Sequence, residues 1–150
     1  MKVCYGGTFN VLHKGHKKLI EKAIETAGKN GTVYLGVTDG KINQEKQFLK
    51  PLSQRLGLIK EYLKNKGFDK QVVIKIIYDK YGPAIKDDYD AIIVSDETII
   101  NAKEINKKRI ANGLKSLKII KIPHVLAEDK KPISSTRVLK KEIDEEGKIL

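Results

Sequence analysis

Gly6-Gly7-Thr8-Phe9-Asn10-Val11-Leu12-His13-Lys14-Gly15-His16 is the stretch that decides how this chain is read. Lys2 to Tyr5 before it reads as a short buried strand, and from Gly15 onward apolar residues recur at helical spacing. Between the two, Gly6-Gly7 is expected to let the backbone turn sharply and come close to a ligand. A strand that ends in glycines and feeds a helix aims unpaired backbone N–H groups and the positive helix end at an anion. His13 and His16 are three apart, so on a first helical turn both imidazoles share a face and can converge on one phosphate. There they would donate hydrogen bonds to charge that builds up in a reaction. Taken singly, these residues have plainer readings: the histidine pair suits a metal or a solvated helix start, and Gly-Gly is found in many turns. A zinc site is disfavoured, because the single cysteine, Cys4, sits in the strand and no third histidine or carboxylate stands close at ligand spacing.

Downstream the chain alternates strand and helix. A helix is expected from about Gly15 to Ala27, with Leu19, Ile20, Ala23, Ile24 and Ala27 as its buried stripe. Thr32–Thr38 reads as a nearly continuous apolar strand, as a central parallel strand would. A helix from Ser53 to Lys66 is stopped by Gly67, and Gln71–Tyr78 is the third strand. After a helical turn near 81–87, Ala91–Asp96 is the fourth strand and ends at Ser95-Asp96-Glu97-Thr98, where open parallel sheets place ligand contacts. A helix over Ile99–Ala111 and a fifth strand over Leu117–Pro123 follow, the alternation of the latter suggesting an edge. Five strands in strict alternation with helices imply an α/β fold, a doubly wound parallel sheet, Rossmann-like, in a single domain over 1–150.

Two further segments carry chemistry. Asp39–Pro51 is polar, lysine-rich and long for a strand-to-helix connection, which suits substrate contact or an ordinary surface loop. Pro132-Ile133-Ser134-Ser135-Thr136-Arg137 offers hydroxyls, a helix cap and a permanent charge, and reads as a second anion site or a simply capped C-terminal helix packing Val138, Leu139 and Ile143.

Composition narrows the function classes. One cysteine in 150 residues rules out a disulfide framework, and Cys4 reads as a packing residue. The formal net charge of +11 suits nucleic acid or a small polyanion equally. The lysines are spread along helix faces without interleaved aromatics and there is no tryptophan, so a nucleic-acid partner has little support. The start is too short and glycine-rich for a signal segment and no run is long enough to cross a bilayer, so a cytoplasmic protein without membrane contact is expected.

Gly6-Gly7-Thr8-Phe9 with His13-Lys14-Gly15-His16 resembles the signature of the nucleotidyltransferases that move AMP or CMP from a nucleoside triphosphate onto a phosphate. Ile133 to Arg137 looks like the segment with which those enzymes grip the triphosphate. Val94-Ser95-Asp96-Glu97-Thr98, Asn101-Ala102 with Asn106 and Arg109, Gly113-Leu114, and Ala127-Glu128-Asp129 before Lys131-Pro132 are similar to the archaeal and eukaryotic type of phosphopantetheine adenylyltransferase. Asn10 departs from the pattern, since relatives often carry Asp there.

The resemblance implies joining ATP and 4′-phosphopantetheine into dephospho-coenzyme A and pyrophosphate, with Mg²⁺ accompanying ATP and no metal site of the protein's own. It implies His16 on the α-phosphate oxygens as the main catalytic group, with Thr8 and Lys46 on the acceptor phosphate. Lys41 and Lys50 compete with Lys46 for that role. Gly7, Thr8, His13, His16 and Glu97 would contact the nucleotide, and Ser134, Ser135, Thr136 and Arg137 the β- and γ-phosphates. Nicotinamide mononucleotide and flavin mononucleotide adenylyltransferases share the first motif and remain alternatives, as does a basic nucleic-acid-binding module.

Overall fold

The computed structural model describes residues 1–43 and 48–150, and of Lys41 the backbone alone. In chain order the elements are β1 (Lys2–Gly7), α1 (Lys14–Ala27), β2 (Thr32–Thr38), a 3₁₀ turn (Gly40–Asn43), α2 (Leu52–Lys66) and β3 (Val72–Ile77). A second 3₁₀ turn (Gly82–Ile85), β4 (Ala91–Val94), α3 (Ile99–Ala111), β5 (Lys118–Lys121) and α4 (Ser135–Leu139) complete them. All strand pairings are parallel and the sheet order is β3-β2-β1-β4-β5. The expected doubly wound sheet is therefore present. β1 sits at its centre, and the order reverses between β1 and β4, which opens a crevice at their carboxyl ends.

The alternation of side chains across β1 and β2 sorts the two layers. Val3, Tyr5, Val33, Leu35 and Val37 face α1 and α2 and bury Ile20, Ala23, Ile59 and Leu63. Cys4, Tyr34, Ile92 and Val94 face the other way, against Ala102 and Ile105 of α3 and Ala84 of the second 3₁₀ turn. β4, Ala-Ile-Ile-Val, is buried along its whole length, as a strand covered on both faces must be. β5 lies at the edge with a lysine exposed at each end.

Three expectations need correction. Gly6 and Gly7 continue β1, in register with Gly36 and Val37, and the turn comes instead at Phe9, with φ of 56°. α2 starts at Leu52 behind Pro51 with no side-chain cap. The C-terminal helix is only the five residues of α4; Ile143 is fully buried but outside it. No helix among the described residues is long and apolar enough to cross a membrane.

The last residues fold back as a brace. Ile143 pairs with Ile149, Lys14 N donates to Glu145 O at 2.8 Å and Glu128 N donates to Gly147 O at 2.9 Å. Ile143 packs with Ala127 and Ile133, so the brace joins the start of α1 to the segment that leads into α4. Gly147 has φ of 87°, and a Cβ there would meet the Ile133 side chain at 2.7 Å and Ala127 Cα at 3.1 Å. Gly147→Ala is thus expected to lower unfolding free energy by about 1–3 kcal/mol in a urea titration; an unchanged midpoint would show the brace to be slack.

Candidate active site

The site begins with the way α1 is capped. His13 is the N-cap residue, its backbone extended (φ −95°, ψ 173°), and its Nδ1 accepts hydrogen bonds from Gly15 N at 3.0 Å and His16 N at 3.4 Å. His16 answers: its Nδ1 accepts from His13 N at 3.3 Å. This is a capping box built from two imidazoles instead of the usual hydroxyl and carboxylate. It satisfies three donors of the helix start and stacks the rings with centroids 3.8 Å apart.

The same bonds fix the tautomers. A nitrogen that accepts from a backbone N–H carries no proton, so in the neutral ring the proton is on Nε2. Burial pushes His13 down to about 4; burial, and then repulsion from His13, pushes His16 down to about 3. Near pH 7 both rings are neutral, and each keeps an Nε2–H to donate.

Neighbouring residues are chosen around these rings. A Cβ at Gly15 would lie 2.8 Å from Cε1 of His13, so only glycine leaves room for the capping imidazole. A Cβ at Gly7 would meet the Phe9 ring at 3.1 Å. Phe9 accepts a left-handed backbone, which is costly for a bulky side chain, and in return its buried ring packs 5.2 Å from His16 and edge-on to Tyr5 at 5.8 Å. Thr38 Oγ1 lies 3.0 Å from Thr8 Oγ1 and 2.9 Å from Asn43 Oδ1, which holds the Thr8 side chain at the strand end.

A cleft of about 780 Å³ runs along the carboxyl ends of the strands. Gly7, Thr8, His13, His16, Glu97, Ser134, Ser135 and Thr136 all line it. The sequence-predicted residues from β1, the β4–α3 turn and α4 are thereby brought to one cavity. Ser134 caps α4, its hydroxyl accepting from Arg137 N at 3.2 Å. Glu97 lines the wall, while the adjacent Asp96 is engaged by Lys121 at 3.0 Å, a contact that lowers its carboxyl pKa.

Arg137 does not join them. Its guanidinium is taken by Asp129, by Glu142 at 3.1 Å and by the Pro132 carbonyl at 3.1 Å, and it is absent from the cleft wall. In this structure two carboxylates of the chain pair with the charge that is expected to grip triphosphate. Lys46 and the Lys41 side chain lie outside the described residues. Lys50 contributes backbone contacts and does not line the cleft. Asn10, the departure from the usual Asp, uses both ends of its amide, donating to Phe48 O at 3.0 Å and accepting from Lys50 N at 2.7 Å.

Sequence reasoning missed Lys140, which lines the cleft one turn beyond Thr136. It also gave no role to Arg55, buried to 1 % exposure behind Thr8. Cys4 borders the cleft, but burial pushes its thiol up to about 12, which leaves a packing residue and no nucleophile. A far arm of the cleft, between the sheet and α3, carries Tyr34, Tyr81, Ala84 and Ile105. Asn101 on this arm donates to Lys80 O at 2.6 Å, and its Oδ1 is buried without a partner among the described residues.

Comparison with known proteins places this geometry. Residues 4–141 match the cytidylyltransferase-like family model. The chain is 43 % identical to a phosphopantetheine adenylyltransferase of Methanosarcina mazei over 99 % of its own length and 96 % of the relative's. It is 40 % identical to the phosphopantetheine adenylyltransferase of Archaeoglobus fulgidus, with all of both chains covered.

The chain belongs to the phosphopantetheine adenylyltransferase family.

Among solved structures, an Archaeoglobus fulgidus protein described as of unknown function aligns with TM-score 0.73 and 36 % identity, over 81 % of this chain and 89 % of that one. A Vibrio parahaemolyticus protein described as a nicotinate-nucleotide adenylyltransferase aligns at TM-score 0.58 and 15 % identity, over 97 % and 82 %, which speaks for the fold alone. In this chain the paired histidines and the Ser134–Thr136 segment line one cleft.

Two measurements bear on the histidine cap. Gly15→Ala should push the His13 ring off its backbone partners, lowering stability by about 0.5–2 kcal/mol and kcat at least tenfold; kcat at the parent value would show that the cap does not govern the site. The pH dependence follows from the depressed pKa values. Between about pH 6.5 and 4 the unfolded chain holds protons on these histidines that the folded one does not, so stability falls as pH falls. Calorimetry from pH 7 to 5.5 should show a falling Tm with proton uptake on unfolding; proton release, or a Tm that rises, would contradict the burial of the rings.

Proposed function

We propose that the chain transfers the adenylyl group of ATP to 4′-phosphopantetheine, giving dephospho-coenzyme A and pyrophosphate, and does so as a single nucleotidyltransferase domain in the cytoplasm. The observation that carries the chemistry is the His13–His16 cap, which occupies both Nδ1 atoms and leaves an Nε2–H on each of two rings that line the cleft with Thr8 and Ser134–Thr136. The acceptor follows from the relatives that match the whole chain.

A phosphate oxygen of the acceptor forms a bond to the α-phosphorus as the bond from that phosphorus to the bridging oxygen of pyrophosphate breaks. The protein supplies no nucleophile and need move no proton, so its contribution is positioning and stabilisation of charge. His16 donates from Nε2 to the non-bridging oxygens of the α-phosphate, where charge grows, and His13 donates beside it. Thr8, with the end of β1 at Gly7, holds the acceptor phosphate, and Lys46 bridges it to the α-phosphate. Ser134, Ser135 and Thr136 take the β- and γ-phosphates with their hydroxyls and the first N–H groups of α4, and Lys140 adds charge at their edge. Arg137 holds this cradle in place through Asp129 and Glu142. Glu97 contacts the nucleotide.

Magnesium fits the donors present as a companion of ATP. Among the described residues no three His, Cys, Asp or Glu side chains cluster as a metal cage, and Glu97 is the carboxylate on the cleft wall. Such a set suits an ion that keeps phosphate oxygens and water as most of its ligands. When bound there it offsets the charge of the β- and γ-phosphates.

Incubating the protein with ATP, Mg²⁺ and a panel of acceptors should give pyrophosphate with 4′-phosphopantetheine well above nicotinamide mononucleotide or flavin mononucleotide. Equal or greater turnover with either of those would replace the proposed acceptor. In the same assay His16→Ala should lower kcat by roughly two to three orders of magnitude, with little change in ATP binding. A raised KM at constant kcat would remove His16 from the transition state.

A further inference from the structure

Arg55 lies near the start of α2 and has no part in the proposed chemistry, yet it is among the largest fully buried side chains of the molecule. Its Nε donates to Lys50 O at 2.9 Å, and one terminal nitrogen donates to both Thr8 O at 3.0 Å and Thr38 O at 2.7 Å. The other terminal nitrogen lies 3.5 Å from Asp39 Oδ1. One guanidinium thus joins three places: the end of β1 that carries Thr8, the entry of the 39–51 loop and its exit. Asn10 adds a second tie to the exit through Phe48 and Lys50, and Asn43 a second to the entry by donating to Thr38 O at 2.9 Å.

Stability is a weak reason for such a charge, since replacing a buried ion with a well-packed apolar side chain is often neutral or favourable. What a planar guanidinium offers is a set of fixed donor directions, which an ammonium lacks. By gripping Thr8 O it also sets the planar peptide that follows, so that the Phe9 N–H points away from Arg55. We propose that Arg55 is a positioning residue for the acceptor: it locks Thr8 and both ends of the 39–51 loop into one unit, so that the acceptor phosphate meets the α-phosphorus in line. The inference rests on the acceptor side of the proposed function. Its hydrogen bonds go to the Thr8 and loop side of the cleft and none to Ser134–Thr136, so ATP binding lies outside its effect.

The test compares Arg55→Lys and Arg55→Met with the parent protein, and with Ile59→Val as a buried α2 variant chosen to lower Tm without touching the loop. With 4′-phosphopantetheine as acceptor, kcat and the acceptor KM are measured for each protein, and ATP Kd is measured separately by calorimetry. Both Arg55 variants should fold, lower kcat roughly 10- to 100-fold and raise the acceptor KM about tenfold, with ATP Kd within twofold. Ile59→Val should leave all three values near the parent's. Folded variants with parental acceptor kinetics would overturn the inference, and so would an ATP Kd that rises as much as the acceptor KM. Failure of both variants to fold would also overturn it, by making Arg55 a requirement of the fold itself. A parent protein that releases no pyrophosphate with 4′-phosphopantetheine would instead sink the functional reading beneath it.

Discussion

The rest of the site depends on a reciprocal hydrogen-bond exchange at the start of one helix. His13 and His16 each give Nδ1 to the other's end of the α1 cap, and in doing so each gives up the nitrogen that could have bound a proton from solvent or a metal. The consequence is a division of labour inside each ring: Nδ1 builds the helix and Nε2 is left with a proton to donate. A capping box is ordinarily a stability device worth about 0.5–2 kcal/mol. Here the same contacts also choose tautomer, charge and direction for two donors.

Neutrality of the rings has a mechanistic meaning. A cationic imidazole would attract triphosphate in the ground state and the transition state alike, which tightens binding without raising kcat. A neutral N–H donor is most useful where negative charge grows during the reaction, provided its position is set beforehand. The setting is done by packing: the stacked partner ring, the Phe9 side chain in its left-handed turn and the glycine at 15 that yields space to the cap. Behind the Ser134–Thr136 segment, Arg137 is held by carboxylates of its own chain and so braces the start of α4. At the cap the lone pairs of two ring nitrogens, and at Arg137 a guanidinium charge, are used to hold geometry.

Much of this is legible in the sequence, and the rest is hidden for definite reasons. Apolar runs mark β2 and β4 and helical spacing marks α1 and α3, because those elements are shaped by burial and burial leaves a periodic trace. Gly6-Gly7 misleads because glycine has two uses. Its pattern suggests freedom of φ, whereas at Gly7 it provides room for the Phe9 ring, and the turn falls to a residue that no propensity would select. Arg55 and Arg109 carry no sign of burial, since arginine usually marks a surface; each is enclosed because carbonyls from separate strand ends, turns and loops converge on it. The Arg137 clamp escapes sequence reading because Asp129 and Glu142 stand eight and five residues away, spacings other than the three or four at which a helix brings side chains into contact. The role of Lys46 rests on likeness to the family, and that residue lies outside the described ones.

The most direct test of the central interaction is the protonation of the two imidazoles. Long-range ¹H–¹⁵N spectra of the ¹⁵N-labelled protein should show His13 and His16 with the proton on Nε2 and a bare Nδ1, unchanged from pH 8 to pH 5. A ring that titrates near its ordinary value of about 6.5, or that carries its proton on Nδ1, would contradict the reciprocal cap and with it the assignment of His16 as a neutral donor.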